Sequence, residues 1–384
     1  MEDASFDEVP EELQMRIMSR LPLKSLVTCL CVAKKWATLI STKAFRDRYL
    51  DKSMTRPRFL FVSGIHRTEA LFHSVYQKEL LSSGQQQIRT NDAPLAEVSQ
   101  PVRGLICLHD GSTNVVICNP GAKKFLSLPQ IQRPDGATIR CFFGYDESND
   151  VFKVLCAKQF GDGKGSKEFQ VYTVKEGAVE DSSWRRITCE HDHSPLSSQL
   201  STQGLCIEGV LYYVAQPSSG KSLVIMCFNL SSEDFSVIEV PERVENSRVN
   251  DHRWKLVNYK GELAMVDDYE FKSGILDEWS ESDNGFFDIW IRKEAARNWE
   301  NKNFEIPHWG ESVGFHKFFF KGTIATGELV FAPYCWPLRG QLYVLCYDTD
   351  TRDLRRFDVE GMVDRYFFVR TFLDHVDSTW LMSK

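Results

Sequence analysis

The sequence has no excess of positive charge: 46 Lys and Arg stand against 53 Asp and Glu, for a formal net charge of −7. Without a basic field the chain has little to offer nucleic-acid phosphates or an anionic lipid surface, and neither is expected as a partner. It also has no apolar run near the roughly 18 residues that read as a membrane span. Met1 is followed by Glu2 and Asp3 instead of the basic and apolar residues of a secretory leader. These features predict a soluble protein of the nucleus, the cytoplasm or both. A disulfide framework is missing too. The 11 Cys are odd in number and scattered, mostly inside apolar runs where Cys packs as a small hydrophobe, which suits a reducing compartment.

Chemistry-bearing motifs are equally scarce. No Gly-x-Ser-x-Gly nucleophile elbow occurs. Gly161-Asp162-Gly163-Lys164-Gly165-Ser166-Lys167 is rich in glycine, but it lacks the spacing of a phosphate loop and joins two strand-like runs, so it reads as a hairpin connection. His191-Asp192-His193 offers two alternating imidazoles without a third and fourth metal ligand, and Cys29 and Cys31 miss the spacing of a zinc knuckle. No metal, cofactor or catalytic group is expected.

What is present falls into two textures. Residues 1–50 are poor in glycine and periodic in the helical sense. Pro10, Glu11 and Glu12 suit a first helical turn, Leu13, Ile17 and Leu21 follow at i, i+4, i+8, and Leu21-Pro22 stops the helix. A second helix is expected from Ser25, carrying Leu26, Leu30, Ala33, Ala37 and Ile40, and a third short one carries Phe45 and Tyr49. This three-helix head holds more apolar side chains than a unit of its size hides, so part of its surface is expected to meet something else. A linker at 51–56 and a body over 57–384 complete the division.

The body reads as short strands punctuated by Gly, Asn and Asp, with an internal repeat. The strands NVVICN, FQVYTV, VIMCFN, FDIWIR and YVLCYD end at Asn119, Val174, Asn229, Arg292 and Asp348, at intervals of 55, 55, 63 and 56 residues. An acidic insertion bearing Asp277, Glu278, Trp279, Glu281 and Asp283 accounts for the longest interval. Each repeat supplies four strands, as a propeller blade does. The expected fold is mainly β with a small N-terminal α-helical domain, the body being a kelch-like β-propeller of about six blades. A flattened β-sandwich is the alternative. Phe59–Val62, Ala70–Val75 and Tyr366–Phe372 would form a shared blade that closes the ring.

The head resembles an F-box through Val9-Pro10, Leu13, Ile17, Leu21-Pro22, Lys24-Ser25-Leu26, Cys31-Val32, Lys34-Lys35-Trp36 and Leu39-Ile40, departing from it at Thr28 and Leu30. The body resembles the F-box-associated interaction domain of the large plant F-box family. The shared residues are Val102-Arg103-Gly104-Leu105-Ile106-Cys107, Ile117-Cys118-Asn119-Pro120, Phe143-Gly144-Tyr145-Asp146, Lys153-Val154-Leu155 and Ser183-Trp184-Arg185, then the run from Gly204 to Tyr213 and that from Asn258 to Leu263. The resemblance implies that the head binds a Skp-type adaptor, and through it cullin and RING subunits, while the body presents a target protein for ubiquitination and proteasomal degradation. The chain itself would be non-catalytic. It places Pro10, Leu13, Ile17, Leu21, Pro22, Leu26, Val32 and Trp36 at the adaptor interface. The target is unknown, and Trp279, Trp309 and Trp336, on loop-like stretches, are the first candidates to touch it. The alternative is a propeller enzyme or glycan-binding module whose helical head only packs on it.

Overall fold

A computed structural model of the chain describes residues 6–66, 69–78, 86–90, 97–133, 136–160, 166–175, 183–196, 204–218, 222–245, 254–267, 283–314, 316–333, 335, 341–362 and 368–382. The head opens with a 3-10 turn, Phe6–Glu8, followed by α1 (Glu11–Met18), α2 (Leu23–Val32), α3 (Lys34–Ile40) and α4 (Lys43–Met54). It therefore has four helices where three were expected. The single helix expected over 25–40 is broken at Ala33, which is extended at φ −145° and ψ 134°. The break has a physical reason. In one continuous helix Ile40 would lie roughly 20 Å along the axis from Leu26, whereas the break folds Leu23 and Leu26 against Leu39, Ile40, Phe45 and Tyr49 in a single core. Thr42 caps α4 by accepting from the Phe45 amide at 3.2 Å. That helix runs on to Met54, so residues 51–54 are helical where a linker was expected.

Among the described residues, twenty-four strands follow. Blade 1 takes β1 (Arg58–His66), β2 (Glu69–Tyr76) and β3 (Gln86–Thr90); blade 2 takes β4 (Glu97–Val98), β5 (Ile106–His109), β6 (Val115–Asn119) and β7 (Lys124–Ser127). Blade 3 takes β8 (Ala137–Asp146), β9 (Val151–Phe160), β10 (Ser166–Val174) and β11 (Arg185–Pro195), and blade 4 takes β12 (Leu205–Ile207), β13 (Val210–Pro217), β14 (Val224–Asn229) and β15 (Phe235–Glu239). Blade 5 takes β16 (Trp254–Tyr259), β17 (Glu262–Asp267), β18 (Gly285–Lys293) and β19 (Asn298–Ile306), and blade 6 takes β20 (Phe318–Thr323), β21 (Leu329–Pro333), β22 (Tyr343–Tyr347) and β23 (Leu354–Asp358). The last strand, β24 (Val369–His375), returns to blade 1 and pairs antiparallel with β1, Leu60 opposite Phe372 and Ser63 opposite Val369. Short helices α5 (Glu242–Glu245) and α6 (Trp309–Val313) lie in connections.

The repeat read from the sequence is the third strand of successive blades. These strands are covered on both sides by neighbouring blades, so they appear as unbroken apolar runs: all five residues of β6 and all five of β22 are buried. The outer strands touch one neighbour only and alternate, as β7 does. Six apolar layers lie between the blades, including Phe72 with Ile106, Ile117 with Phe143, Phe169 with Phe228, Ile225 with Trp254, Ile289 with Phe331, and Phe357 with Phe59. The sixth layer joins blade 6 to blade 1 and closes the ring, which is a propeller and not a sandwich. At the rim, Trp184 and Trp299 donate from outer-strand positions to the Pro129 and Glu239 carbonyls of the preceding blade at 2.7 and 2.9 Å.

Two buried histidines sit in blade 1. Burial pushes His73 down to about 4, and burial together with the Arg58 charge pushes His375 down to about 3. The unfolded chain takes up these protons near the ordinary imidazole value of about 6.5, before the folded chain does. The folded state therefore holds this contribution in full above that pH and loses it as pH falls toward 4 and then 3. We expect the free energy of unfolding, measured by denaturant titration between pH 7 and pH 4.5, to fall with pH. His375→Gln should flatten the descent by about 1.4 kcal/mol per pH unit, one proton's worth. An equally steep descent in the variant contradicts the assignment.

Candidate functional site

Helix α1 has its polarity inverted. Helical spacing puts Leu13 and Ile17 on one side and Gln14 and Met18 on the other. The buried side is the one carrying the amide: Gln14 is 0% exposed, while Leu13 is 45% and Ile17 47% exposed. The Gln14 Nε2 donates to the Phe6 and Val9 carbonyls at 3.1 and 2.7 Å, which fastens the 3-10 turn to the helix. Leaving Leu and Ile in water forgoes about 1.5–3 kcal/mol apiece that burial would contribute. Pro10 and Pro22, which precede α1 and α2, are exposed, and Val32 at the end of α2 is 63% exposed. Leu21 and Trp36 are half-buried, Trp36 meeting the Phe6 ring edge-on at 5.6 Å.

Leu26 departs from this pattern. It lies three residues after Leu23 on the inner side of α2, is 0% exposed, and belongs to the core of the head, not its surface. Thr28 and Cys31, quoted in the F-box comparison but not placed at the interface from the sequence, are both exposed. The four-residue spacing of Thr28 and Val32 is the signal that places them together on the outer side of α2.

The opposite side of the head is seated on the propeller. Leu23 rests on Gly121, where an added Cβ would come within 2.7 Å of the Leu23 Cδ2. The C-terminal segment past β24 runs through this seam. The Asn119 Nδ2 donates to the Ser378 and Trp380 carbonyls at 2.8 and 2.7 Å, the Asp377 amide donates to Ser53 Oγ at 2.6 Å, and Met382 joins the core of the head. The Arg46 guanidinium lies 4.8 Å over the Trp380 ring. Arg58 and Asp377 form a buried ion pair at 2.7 Å. Lys43 and Arg46 reach Asp150 at 3.4 and 3.3 Å, and Arg103 reaches Asp47 at 3.3 Å. Burial alone would raise the Asp150 carboxyl, but the Tyr145 hydroxyl and the two cations outweigh it and hold it below the usual range. Thus Arg103 and Asn119, quoted from the sequence among the residues that carry the resemblance of the body, sit at the junction between head and ring.

Alternation of the antiparallel strands sorts the connections onto two faces. The head occupies the face of the tight turns, such as Asn119–Lys124 and Tyr259–Glu262. The connection that carries α6 opens on the other face. Of the three tryptophans proposed for target contact, Trp309 falls there. Trp279 and Trp336 lie outside the described residues, as does most of the acidic insertion. Trp309 does not fit its expected role: it is 1% exposed, packed on Gly285, where an added Cβ would come within 2.6 Å of its Cγ, and set edge-on to Phe318 and Phe331. Its position next to Pro307 reads as a loop, and the glycine that admits the indole is far off in sequence.

On that same face His193 is buried, with Nε2 2.8 Å from the Tyr213 hydroxyl and Nδ1 2.8 Å from the His191 carbonyl. Burial keeps it neutral by lowering its pKa. Both ring nitrogens are thereby engaged within the protein. Asp283, His308 and Glu311, which the sequence did not group, bring their ligand atoms within 4.8 Å of one another. All three are exposed, and the Asp283 carboxylate already accepts the Glu311 amide at 3.1 Å. Among the described residues no helix is long and apolar enough to cross a membrane.

Comparison with known proteins agrees with this geometry. Residues 6–48 match the F-box domain and residues 58–376 match the F-box associated beta propeller domain. Two F-box proteins of Arabidopsis thaliana are 51% and 49% identical over 100% of both chains. F-box protein DOR of the same plant is 31% identical over 99% of this chain and 95% of its own.

The two sides of the head differ in a measurable way. Leu26→Ala empties a sealed position and should destabilise the protein by about 2–5 kcal/mol in denaturant titration, whereas Leu13→Ala should change stability by less than about 0.5 kcal/mol. Equal losses from the two substitutions would overturn the assignment of sides.

Proposed function

The chain belongs to the plant F-box proteins that carry an F-box-associated β-propeller, and from that premise we propose that it is the substrate-recognition subunit of a cullin-RING ubiquitin ligase. The head binds a Skp-type adaptor, which connects it to cullin and RING subunits. The propeller holds a target protein for ubiquitination and proteasomal degradation, in the nucleus, the cytoplasm or both. The observation that supports this reading best is the inverted helix α1. An amide faces the interior while Leu13 and Ile17 face water, and Val32 on α2 is more open still. A protein that used its head only for packing would seal these side chains against the ring. Here the packed side is the other one, with Leu23 on Gly121. The adaptor surface accordingly comprises Pro10, Leu13, Ile17, Pro22 and Val32, with Leu21 and Trp36 shaping its edge.

The chemistry of such a subunit is positional. The chain contributes no reacting group. It raises the effective concentration of a target lysine near the thioester of the conjugating enzyme, turning a bimolecular encounter into an intramolecular one. The seam between head and ring serves this purpose, because a fixed angle between the two determines where the target is held.

An interface anchor cut to alanine typically costs about 2 kcal/mol, or about thirtyfold in affinity. Leu13→Ala combined with Ile17→Ala should therefore weaken binding of a purified Skp-type adaptor by about a hundredfold or more. The thermal midpoint of the free chain should stay where it was. Titration calorimetry reads the first and calorimetric melting the second; adaptor affinity unchanged in the double variant rejects the proposal.

A further inference from the structure

Blades 3 and 4 depart from the regular ring. The pairing of β10 with β11 passes from Glu168 opposite Thr188 to Ser166 opposite His193, so the four residues Cys189–Asp192 stand opposite the single Lys167. This bulge swings the end of β11 away from its own blade, and His193–Pro195 pair with Ala215–Pro217 of β13, fusing the two blades into one sheet. A cleft of about 590 Å³ opens beside the fusion, on the face away from the head. Its floor is apolar: Met226 and Val237 are direct cross-strand neighbours, Val224 lies two residues from Met226 on the same side, and Val237 is 36% exposed. Its wall carries Glu190 and Asp192 against Lys167 and the exposed His191, with His193 held neutral by burial. The Asp192 Oδ1 is shut off from water with no hydrogen-bond partner. The residue as a whole is only partly buried, so the rest of its carboxylate stays open to the cleft and has acceptor capacity for a cationic ligand.

We infer that this cleft binds a peptide segment of the target in which an arginine or lysine adjoins an apolar side chain. The cation donates to the open part of the Asp192 carboxylate and is attracted by Glu190, and the apolar neighbour covers Val224 and Val237, beneath which Met226 is already sealed. This identification of the ligand as a target segment rests on the proposed role as a substrate-recognition subunit. The surplus of carboxylates disfavours phosphorylated or acidic segments, and the cleft's position leaves it open when the head is engaged.

The test is a positional-scanning library of immobilised ten-residue peptides, probed with the full-length chain alone and with the Skp-type adaptor bound. The expected result is enrichment of Arg and Lys next to Leu, Ile, Met or Val. Asp192→Asn should lower affinity for a synthesised cationic hit about tenfold or more and erase the preference for a cation, while adaptor binding and thermal midpoint stay unchanged. Glu190→Gln and Val237→Glu, both at exposed positions, carry the test if Asp192→Asn does not fold: the first should weaken the cationic preference and the second the apolar one. Selection of acidic peptides, no selection at all, or profiles unaltered by these substitutions would overturn the assignment. Adaptor binding is read on the same samples. A selective cleft on a chain that binds no adaptor defeats the ligase reading alone, whereas an adaptor-bound chain without the cationic preference defeats this inference alone.

Discussion

The structure depends on the pairing of the last strand with the first. A propeller whose blades are built in order along the chain has one seam where the ring must be closed, and here β24 supplies the inner strand of the blade that β1 began. Without it the apolar layer of Phe59, Phe61, Val344 and Phe357 between blades 6 and 1 would lie at an open edge. Closure of this kind has a second effect. It brings the end of the chain to the place where the head enters, so residues 376–382 leave the ring beneath the helices and fill the joint between the two parts. The buried Arg58–Asp377 pair, the Asn119 amide and Trp380 are the contacts that exploit this meeting.

The head is thereby divided into two sides with opposite tasks. Leu23, Tyr49 and Met382 are shielded and give the head a fixed seat. Leu13, Ile17 and Val32 are held out in water by helices whose inner residues have already satisfied the fold. A small helical unit rarely tolerates such an arrangement on energetic grounds alone, because the same residues turned inward would stabilise it. Exposure of this kind, with Gln14 buried in their stead, is the feature on which the proposed adaptor surface rests.

The legible part of the fold follows from the covering of each blade on both sides. The third strands show in the sequence because no face of theirs meets solvent, and the Trp184 position shows because each blade must grip the one before. The helical period of α1 and the proline before α2 were equally plain. What escaped is of another kind. Nothing local distinguishes Ala33 as a break, since it is the meeting of Leu26 with Leu39 that requires one. Trp309 sits in a stretch with every mark of an exposed loop and is drawn inside by a space at Gly285. Leu26 and Leu21 look alike as helical apolar residues, yet one is sealed and the other half-open.

The sequence by itself determined what depends on spacing along the chain: a helical head, a β repeat of about 55 residues, four strands to a repeat and the family to which both parts belong. The tertiary structure alone decided which side of each helix faces out, where the C-terminal segment is anchored, and that the bulge at Cys189–Asp192 welds two blades and opens a cleft beside them. The reason is the range of the interactions concerned. Periodicity is written in neighbours three or six residues apart, whereas exposure and cleft formation are settled by residues a blade or more away, whose approach only the closed ring brings about.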